Sequence, residues 1–381
     1  MFAGSYTCRD ERRAESMTLF SESDPTASVR SGSRRAGWAL LSMTAVAAVG
    51  LSLLPAPYVI DQPGPTYDTL GVIEVDGNEV PLITVPDEAE FREDAHLWVT
   101  TVNRLGNPEN LPSWVEVMGA WVSSERAVTP VDQAFPPGLS LEENREAARI
   151  DMENSQQESI AAALNYLDID YDSSLVVVQS LEGGPSEGIL QPEDVVMSAA
   201  GVAVADVTRL RELIAENGVQ DPMTITVLRN GREETLEVIP RMSEGEVPVP
   251  VIGVLVSGRY DFPIDITIEL GSVGGPSAGL MFALGIVEKL SDQQIAGSLA
   301  VAGSGTISAQ GDVGPVGGTR HKIYGAAESG AEWFFIPRTN CSDVAGLSPN
   351  GIGVVPVDTL ADAVEALELI LADEAPPSCV N

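Results

Sequence analysis

Along most of the chain, apolar residues recur at helical or strand spacing, and one stretch follows neither pattern. From Ala36 to Leu54 (AGWALLSMTAVAAVGLSLL) no residue is charged. At 1.5 Å per residue, such a helix just spans a hydrocarbon layer of roughly 30 Å. Arg30, Arg34 and Arg35 precede it, and Asp61 and Asp68 follow. The pattern predicts a transmembrane helix over 36–54. The positive-inside rule then places residues 1–35 in the cytoplasm and everything after Pro55 outside. A cleaved signal peptide is the competing reading, with Ala56 as the small residue near its end. A polar leader of about 35 residues is long for one, which favours a retained anchor. Residues 1–35 are rich in Ser, Arg and Glu without periodicity, and the expectation there is a disordered tail.

After the anchor, Pro55-Ala56-Pro57 and Gln62-Pro63-Gly64-Pro65 predict a stiff, extended exit. Strand-like runs follow at Gly71–Val75, Leu82–Val85 and His96–Val102, the first two flanking the hairpin signal Asp76-Gly77-Asn78. Leu111 to Val122 has helical spacing, with Trp114, Val117, Met118, Trp121 and Val122 on one face read as core. Residues 123–140 read as loop, with Pro130 and Pro136-Pro137. Ser140-Leu141-Glu142-Glu143 then resembles a capping box opening a helical stretch that reaches Leu167 with one break.

Residues 171–243 form a compact unit in the sequence. Leu175–Gln179 is an apolar strand, Glu182 to Gly188 a turn, and Val195-Val196 begins another strand. Val207–Glu216 is an amphipathic helix, and Met223–Arg229 and Glu234–Ile239 are a hairpin about Asn230-Gly231. This order, with the passage from Gly184 through Leu190 to Val196, resembles a PDZ domain, Glu193 standing where a glycine is usual. The resemblance implies a groove beside the helix that takes an extended peptide or a C-terminus as an added strand, with Leu175–Val178 as its wall. A scaffold insert that binds nothing is the plainer alternative.

From residue 248 to 373 strands and helices alternate: Val251–Val256, Ile264–Leu270, Ser277–Leu290, Leu299–Ser304, Thr306–Gly311, Lys322–Ser329, Trp333–Ile336, Gly353–Val357 and Thr359–Leu371. Residues 374–381 form a short tail. This is an α/β domain.

At 381 residues the protein has length for two or three domains. A net charge of -35 argues against nucleic acid as a partner, because phosphates would be repelled. Cys8 lies in the tail. Cys341 and Cys379 either pair, if the domain is extracytoplasmic, or stay separate thiols. Two histidines and scattered cysteines give no metal-ligand spacing, and neither a metal nor a cofactor is expected. No G-x-x-x-x-G-K-[ST] occurs in the sequence.

The chemistry concentrates at two glycine turns. In Gly274-Gly275-Pro276-Ser277-Ala278-Gly279, a hydroxyl falls at the start of a helical pattern, where free N–H groups favour an oxyanion. The expected donors are the Ser277 amide and one of Val273, Gly274 or Gly275. Alone, Ser277 reads better as a helix cap. Further on, Gly317-Gly318-Thr319-Arg320-His321-Lys322 places Lys322, one of two lysines in the sequence, in the first turn of an apolar-faced helix. Burial and the helix dipole would hold it neutral and make it the base a serine needs.

The runs Ile264 to Leu280 and Ala302 to Lys322 resemble the nucleophile and lysine motifs of Lon-type serine–lysine proteases, over residues 250–371. The 45-residue separation of Ser277 and Lys322 is close to the spacing in that family. The resemblance implies Ser277 as nucleophile and Lys322 as general base. Ser304 falls where a lysine-orienting threonine is usual, and Gly274 falls where many members carry an acid. Gly274 and Gly275 are supporting positions, and Arg320 is a non-catalytic basic position. With the anchor and the PDZ-like unit, the whole protein resembles membrane-anchored, PDZ-containing Lon-like proteases of bacteria. This implies an α/β (α+β) proteolytic fold in which 55–170 contributes to the protease and the PDZ unit is an insertion. It also implies cleavage of unfolded or exposed protein segments without ATP, and ring assembly that no residue here displays. Two rivals stand beside it. Gly275-Pro276-Ser277-Ala278-Gly279 fits the G-x-S-x-G elbow of esterase-type α/β-hydrolases, with His321 as base. An inert, anchored PDZ adaptor is the other.

Overall fold

The structure, a computed structural model, describes residues 32–75, 77–86, 95–135, 141–204, 206–243, 248–271, 273–291 and 294–379. Most of the expected tail, Asp76 of the hairpin signal, Pro136-Pro137 and Ser140 of the capping box lie outside these residues. The protein separates into two units, Met1–Leu53 and Leu54–Asn381.

The first unit contributes helix α1, Gly32–Leu53. Trp38, Leu40, Leu41, Met43, Val46 and Val49 are exposed on it. The Thr44 and Ser52 hydroxyls donate to the carbonyls of Leu40 and Val49 within the same helix. Among the described residues no helix is long and apolar enough to cross a membrane. The segment expected as a span is thus a helix, with apolar character thinned by its Ala, Gly, Ser and Thr residues.

In the second unit the order is β1 (Tyr58–Asp68), β2 (His96–Leu105), α2 (Trp114–Trp121), β3 (Ala127–Pro130), α3 (Leu141–Tyr166), β4 (Asp172–Ser180), β5 (Val195–Ala199), α4 (Val207–Asn217), β6 (Met223–Arg229), β7 (Arg232–Val238) and β8 (Val254–Asp261). It continues with α5 (Gly279–Leu290), β9 (Ala300–Gly303), α6 (Thr319–Glu328), β10 (Trp333–Pro337), β11 (Gly353–Val357) and α7 (Leu360–Leu371). A six-stranded sheet has the order β11-β10-β9-β2-β1-β3. The pairs β2/β9, β9/β10 and β10/β11 are parallel, and β1 is antiparallel to both neighbours. Alternate side chains of the central strands divide between two cores, as a strand period of two requires. Leu97, Val99, Val301, Phe335 and Val355 face a core shared with α3, α5 and α7. Ala302, Phe334 and Ile336 face α6. Helix α5 is buried from Gly279 to Lys289, which explains its lack of a polar stripe.

Several local expectations change. The Pro-rich exit is strand β1, and its register shifts between Pro63 and Thr66, where proline cannot donate to the ladder. The hairpin closes with Val72–Val75 against Asn78–Pro81. Ile83–Thr84 pairs instead with Thr267–Ile268, all that forms of the strand expected over 264–270. On α2, which opens with a Ser113/Glu116 capping box, Val117 and Ala120 are buried while Met118, Trp121 and Val122 are exposed. The core therefore takes a narrower stripe, against Ile60, than apolarity alone suggested. Helix α3 is continuous, without the expected break.

The second sheet, β7-β6-β5-β4-β8, is covered by α4 through Leu210, Leu213 and Ile214. Its strand β8 is drawn from residues beyond the 171–243 boundary. Asp194, buried under this sheet, is held by Arg229 at 2.6 Å.

Candidate active site

The nucleophile loop is fixed by bonds from three directions. The Ser277 carbonyl accepts the Gly305 N–H at 3.0 Å and the Ser304 hydroxyl at 2.9 Å. From α3, the Ser155 hydroxyl donates to the Pro276 carbonyl at 3.0 Å, and the single Ser159 hydroxyl proton is shared between the Ser155 carbonyl at 2.5 Å and the Gly279 carbonyl at 3.0 Å. Gly275 takes φ 91°, a conformation that disfavours any side chain, and its N–H donates to the Ala148 carbonyl of α3 at 3.0 Å. Helix α5 begins at Gly279, so Ser277 stands just before it rather than inside its first turn.

Lys322 does lie in the first turn of α6. Gly318 starts that helix in the left-handed region at φ 68°, where a Cβ would also approach Val102 Cγ2 to 2.7 Å. From there the lysine side chain reaches Ser277, with Nζ 2.6 Å from Ser277 Oγ and 2.8 Å from Ser304 Oγ. Lys322 is 3% exposed, and Ser304 is fully buried. Burial drives the amine pKa down to about 7, because the ammonium loses its hydration. The Ser304 O–H is committed to the Ser277 carbonyl, so Ser304 can only accept from Lys322. That leaves the lone pair of a neutral amine for the Ser277 hydroxyl. The arrangement can remove a proton from Ser277 Oγ and hold it.

The sequence-derived residues separate by position. Ser277, Ser304 and Lys322 converge. Gly275 does not point its amide at the cleft, since Ala148 takes it. Gly274 is exposed at the rim. His321 donates from Nδ1 to the Glu125 carbonyl at 2.8 Å, and Arg320 Nε donates to the Ser124 carbonyl at 3.1 Å. Both residues anchor the start of α6 to the 123–126 turn. The sequence reading missed Ala148, Ser155 and Ser159, which sit more than a hundred positions before the serine they hold. It expected the strand β2 but gave it no role at the site, where Val99–Arg104 lines a cleft of about 690 Å³ with Met152 and the two reactive residues. A polar serine on a helix signals nothing by its spacing, and only the packing of α3 against α5 gives these residues a role.

A second cavity, about 680 Å³, lies between α4 and β8. Val207, Leu210 and Ile214 form one wall and Val251–Val256 the other. Strand β4, the expected wall, is paired on both sides, with β5 and β8, and has no edge to offer. Among the described residues no cluster of His, Cys, Asp and Glu could hold a metal.

Comparison with known proteins matches residues 261–371 to the Lon protease (S16) C-terminal proteolytic domain and residues 138–239 to the PDZ domain. An archaeal Lon protease of Methanothermobacter thermautotrophicus is 36% identical over 109 residues, 28% of this protein and 17% of its own length. That of Halobacterium salinarum is 37% identical over 97 residues, 25% of this protein and 14% of its own length. That of Thermococcus kodakarensis is 27% identical over 191 residues, 47% of this protein and 29% of its own length. The matches thus span under a third of these relatives. Among solved structures, the PDZ domain of an SdrC-like protein from Listeria innocua is 20% identical, covers 22% of this protein and 92% of its own length, and has a TM-score of 0.20. A Lon-type proteolytic domain and a PDZ domain are thus present in a mixed α/β structure, and the relatives support a serine peptidase.

Proposed function

We propose that the protein is a serine endopeptidase in which Ser277 attacks the peptide carbonyl and Lys322 is the general base. One observation carries the reading: a buried amine with a pKa near 7 stands 2.6 Å from a serine hydroxyl on a tightly held glycine loop. Lys322 takes the proton as Oγ bonds to the carbonyl carbon. The tetrahedral oxyanion is received by main-chain amides, the Ser277 N–H among them. Lys322 then returns the proton to the departing nitrogen, leaving an ester on Ser277 that water hydrolyses with the same amine as base. Ser304 keeps the amine aimed.

The substrates are extended protein segments. The cleft is open to such segments, and cleavage of an already unfolded segment by the Ser277–Lys322 pair consumes no ATP in itself. The PDZ groove between α4 and β8 receives the end of a polypeptide. Residues 36–54 attach the protein to a membrane, a reading that rests on their freedom from charge and on the apolar side chains exposed all round α1, although α1 falls short of the apolarity of a spanning helix. The Cys341–Cys379 disulfide supports an extracytoplasmic site for the peptidase.

Cleavage of an unfolded reporter by purified full-length variants tests the assignment. Lys322→Ala is expected to lower kcat by roughly a thousandfold or more. His321→Ala is expected to retain most activity. The opposite outcome would support the esterase-type reading, with His321 as base.

A further inference from the structure

Helix α3 is bonded on one face to the peptide groove and on another to the nucleophile loop. On the groove side, Asn154 Nδ2 donates to the Val256 carbonyl at 2.8 Å, and its Oδ1 accepts the Gly258 N–H at 3.1 Å. Asp151 pairs with Arg211 of α4. Glu158 Oε1 accepts the N–H groups of Val207 and Thr208, where α4 begins, at 2.9 and 3.2 Å. On the loop side are the Ala148 carbonyl and the hydroxyls of Ser155 and Ser159.

Asn154 satisfies the outer edge of β8 from Val256 to Gly258, just where an added strand would continue. The groove therefore seats only the last few residues of a polypeptide, and the remainder must turn away along α3. Arg211 is the only cation among the described residues lining the groove. Its ion pair with Asp151 is half exposed, hence weak and readily exchanged. A terminal carboxylate entering the groove competes with Asp151 for that guanidinium.

The loop has a matching pair of states. In this structure the Gly275 N–H is spent on Ala148 and unavailable to an oxyanion. Glycine at φ 91°, with no Cβ to restrict its backbone, can reach the alternative φ values that would turn that amide. We propose that a polypeptide's C-terminus seated between α4 and β8 releases α3 from Arg211, lets α3 shift relative to the loop, frees the Gly275 amide for the oxyanion, and so activates cleavage at Ser277. This rests on the PDZ groove and Ser277 assignments made above. Ala148 and Asp151 act as positioning residues.

The test uses the full-length protein, a fluorogenic reporter amidated at its C-terminus, and the tripeptide acetyl-Ala-Ala-Val as free acid or amide. The free acid is expected to raise kcat about fivefold or more, in the usual range for coupled sites, with little change in KM. The amide should do nothing. Asp151→Asn is expected to raise basal kcat toward the stimulated level and to blunt the peptide response. Independently of turnover, hydrogen exchange at Gly275 should speed up with the free acid, in wild type and in Ser277→Ala alike. Binding of the free acid with kcat and exchange both unchanged would overturn the inference, as would failure of the acid to bind. Loss of the peptidase assignment would appear differently, as faster exchange in a protein that cleaves nothing.

Discussion

Lys322 is almost fully buried, and under the proposed mechanism that burial makes two quantities depend on pH. Activity requires the neutral amine, so kcat/KM is expected to rise with pH through about 7, the value to which desolvation lowers it. A profile flat between pH 6 and 8.5 would contradict this. Stability follows the same group. Between about 7 and its usual 10.5, the unfolded state holds a proton that the folded state lacks, so stability rises with pH across that window. Below pH 7 the cost of burying the amine is fully felt. Lys322→Met should therefore abolish cleavage yet stabilise the fold at pH 7 by about 1–4 kcal/mol. Thermal melts should show that gain shrinking toward pH 10, and a variant melting below wild type at pH 7 would argue that the amine is well solvated. These residues were the most legible part of the sequence, because glycine turns next to a lone serine and a scarce lysine are local signals. Ser304 was legible only through its place in a motif. The fate of the Gly275 amide depends on a helix more than a hundred residues away and could not be read.

At the scale of elements, what could be read depended on how local the cause was. Helix α4 follows from its amphipathic period and α5 from its run of Ala, Leu and Met, while α7 opens with a capping box of Thr359 and Asp362. Strand β1 was hidden because two prolines suggest an exit rather than a ladder, and only pairing with β2 and β3 overrides them. The wall of the groove was misassigned because β8 joins the PDZ sheet from beyond the unit that the sequence delimits. The C-terminal tail returns through the Cys341–Cys379 disulfide, which joins the segment after β10 to Cys379, packed against the core beneath α6. Sequence left that pairing open. With its ends 38 positions apart in the sequence, loss of the bond in Cys379→Ser should cost about 3–4 kcal/mol. Melting with and without reductant measures this, and identical curves would mean that the link constrains nothing.

At the scale of the whole molecule, a parallel-cored sheet supplies the cleft, a second sheet supplies the groove, and α3 is bonded to both. The two matched domains explain this composition without fixing the activity of the protein, since the matches cover under a third of the Lon relatives. The reading of a hydrolase comes from geometry, in which one hydroxyl and one desolvated amine face an open cleft of about 690 Å³. The most direct measurement is the rate at which purified wild-type and Ser277→Ala proteins cleave an unfolded polypeptide, followed by mass spectrometry of the products. Wild type should generate peptides with new termini, and Ser277→Ala should fall at least a thousandfold below it. Equal rates in the two proteins, or intact polypeptide in both, would contradict a serine peptidase centred on Ser277.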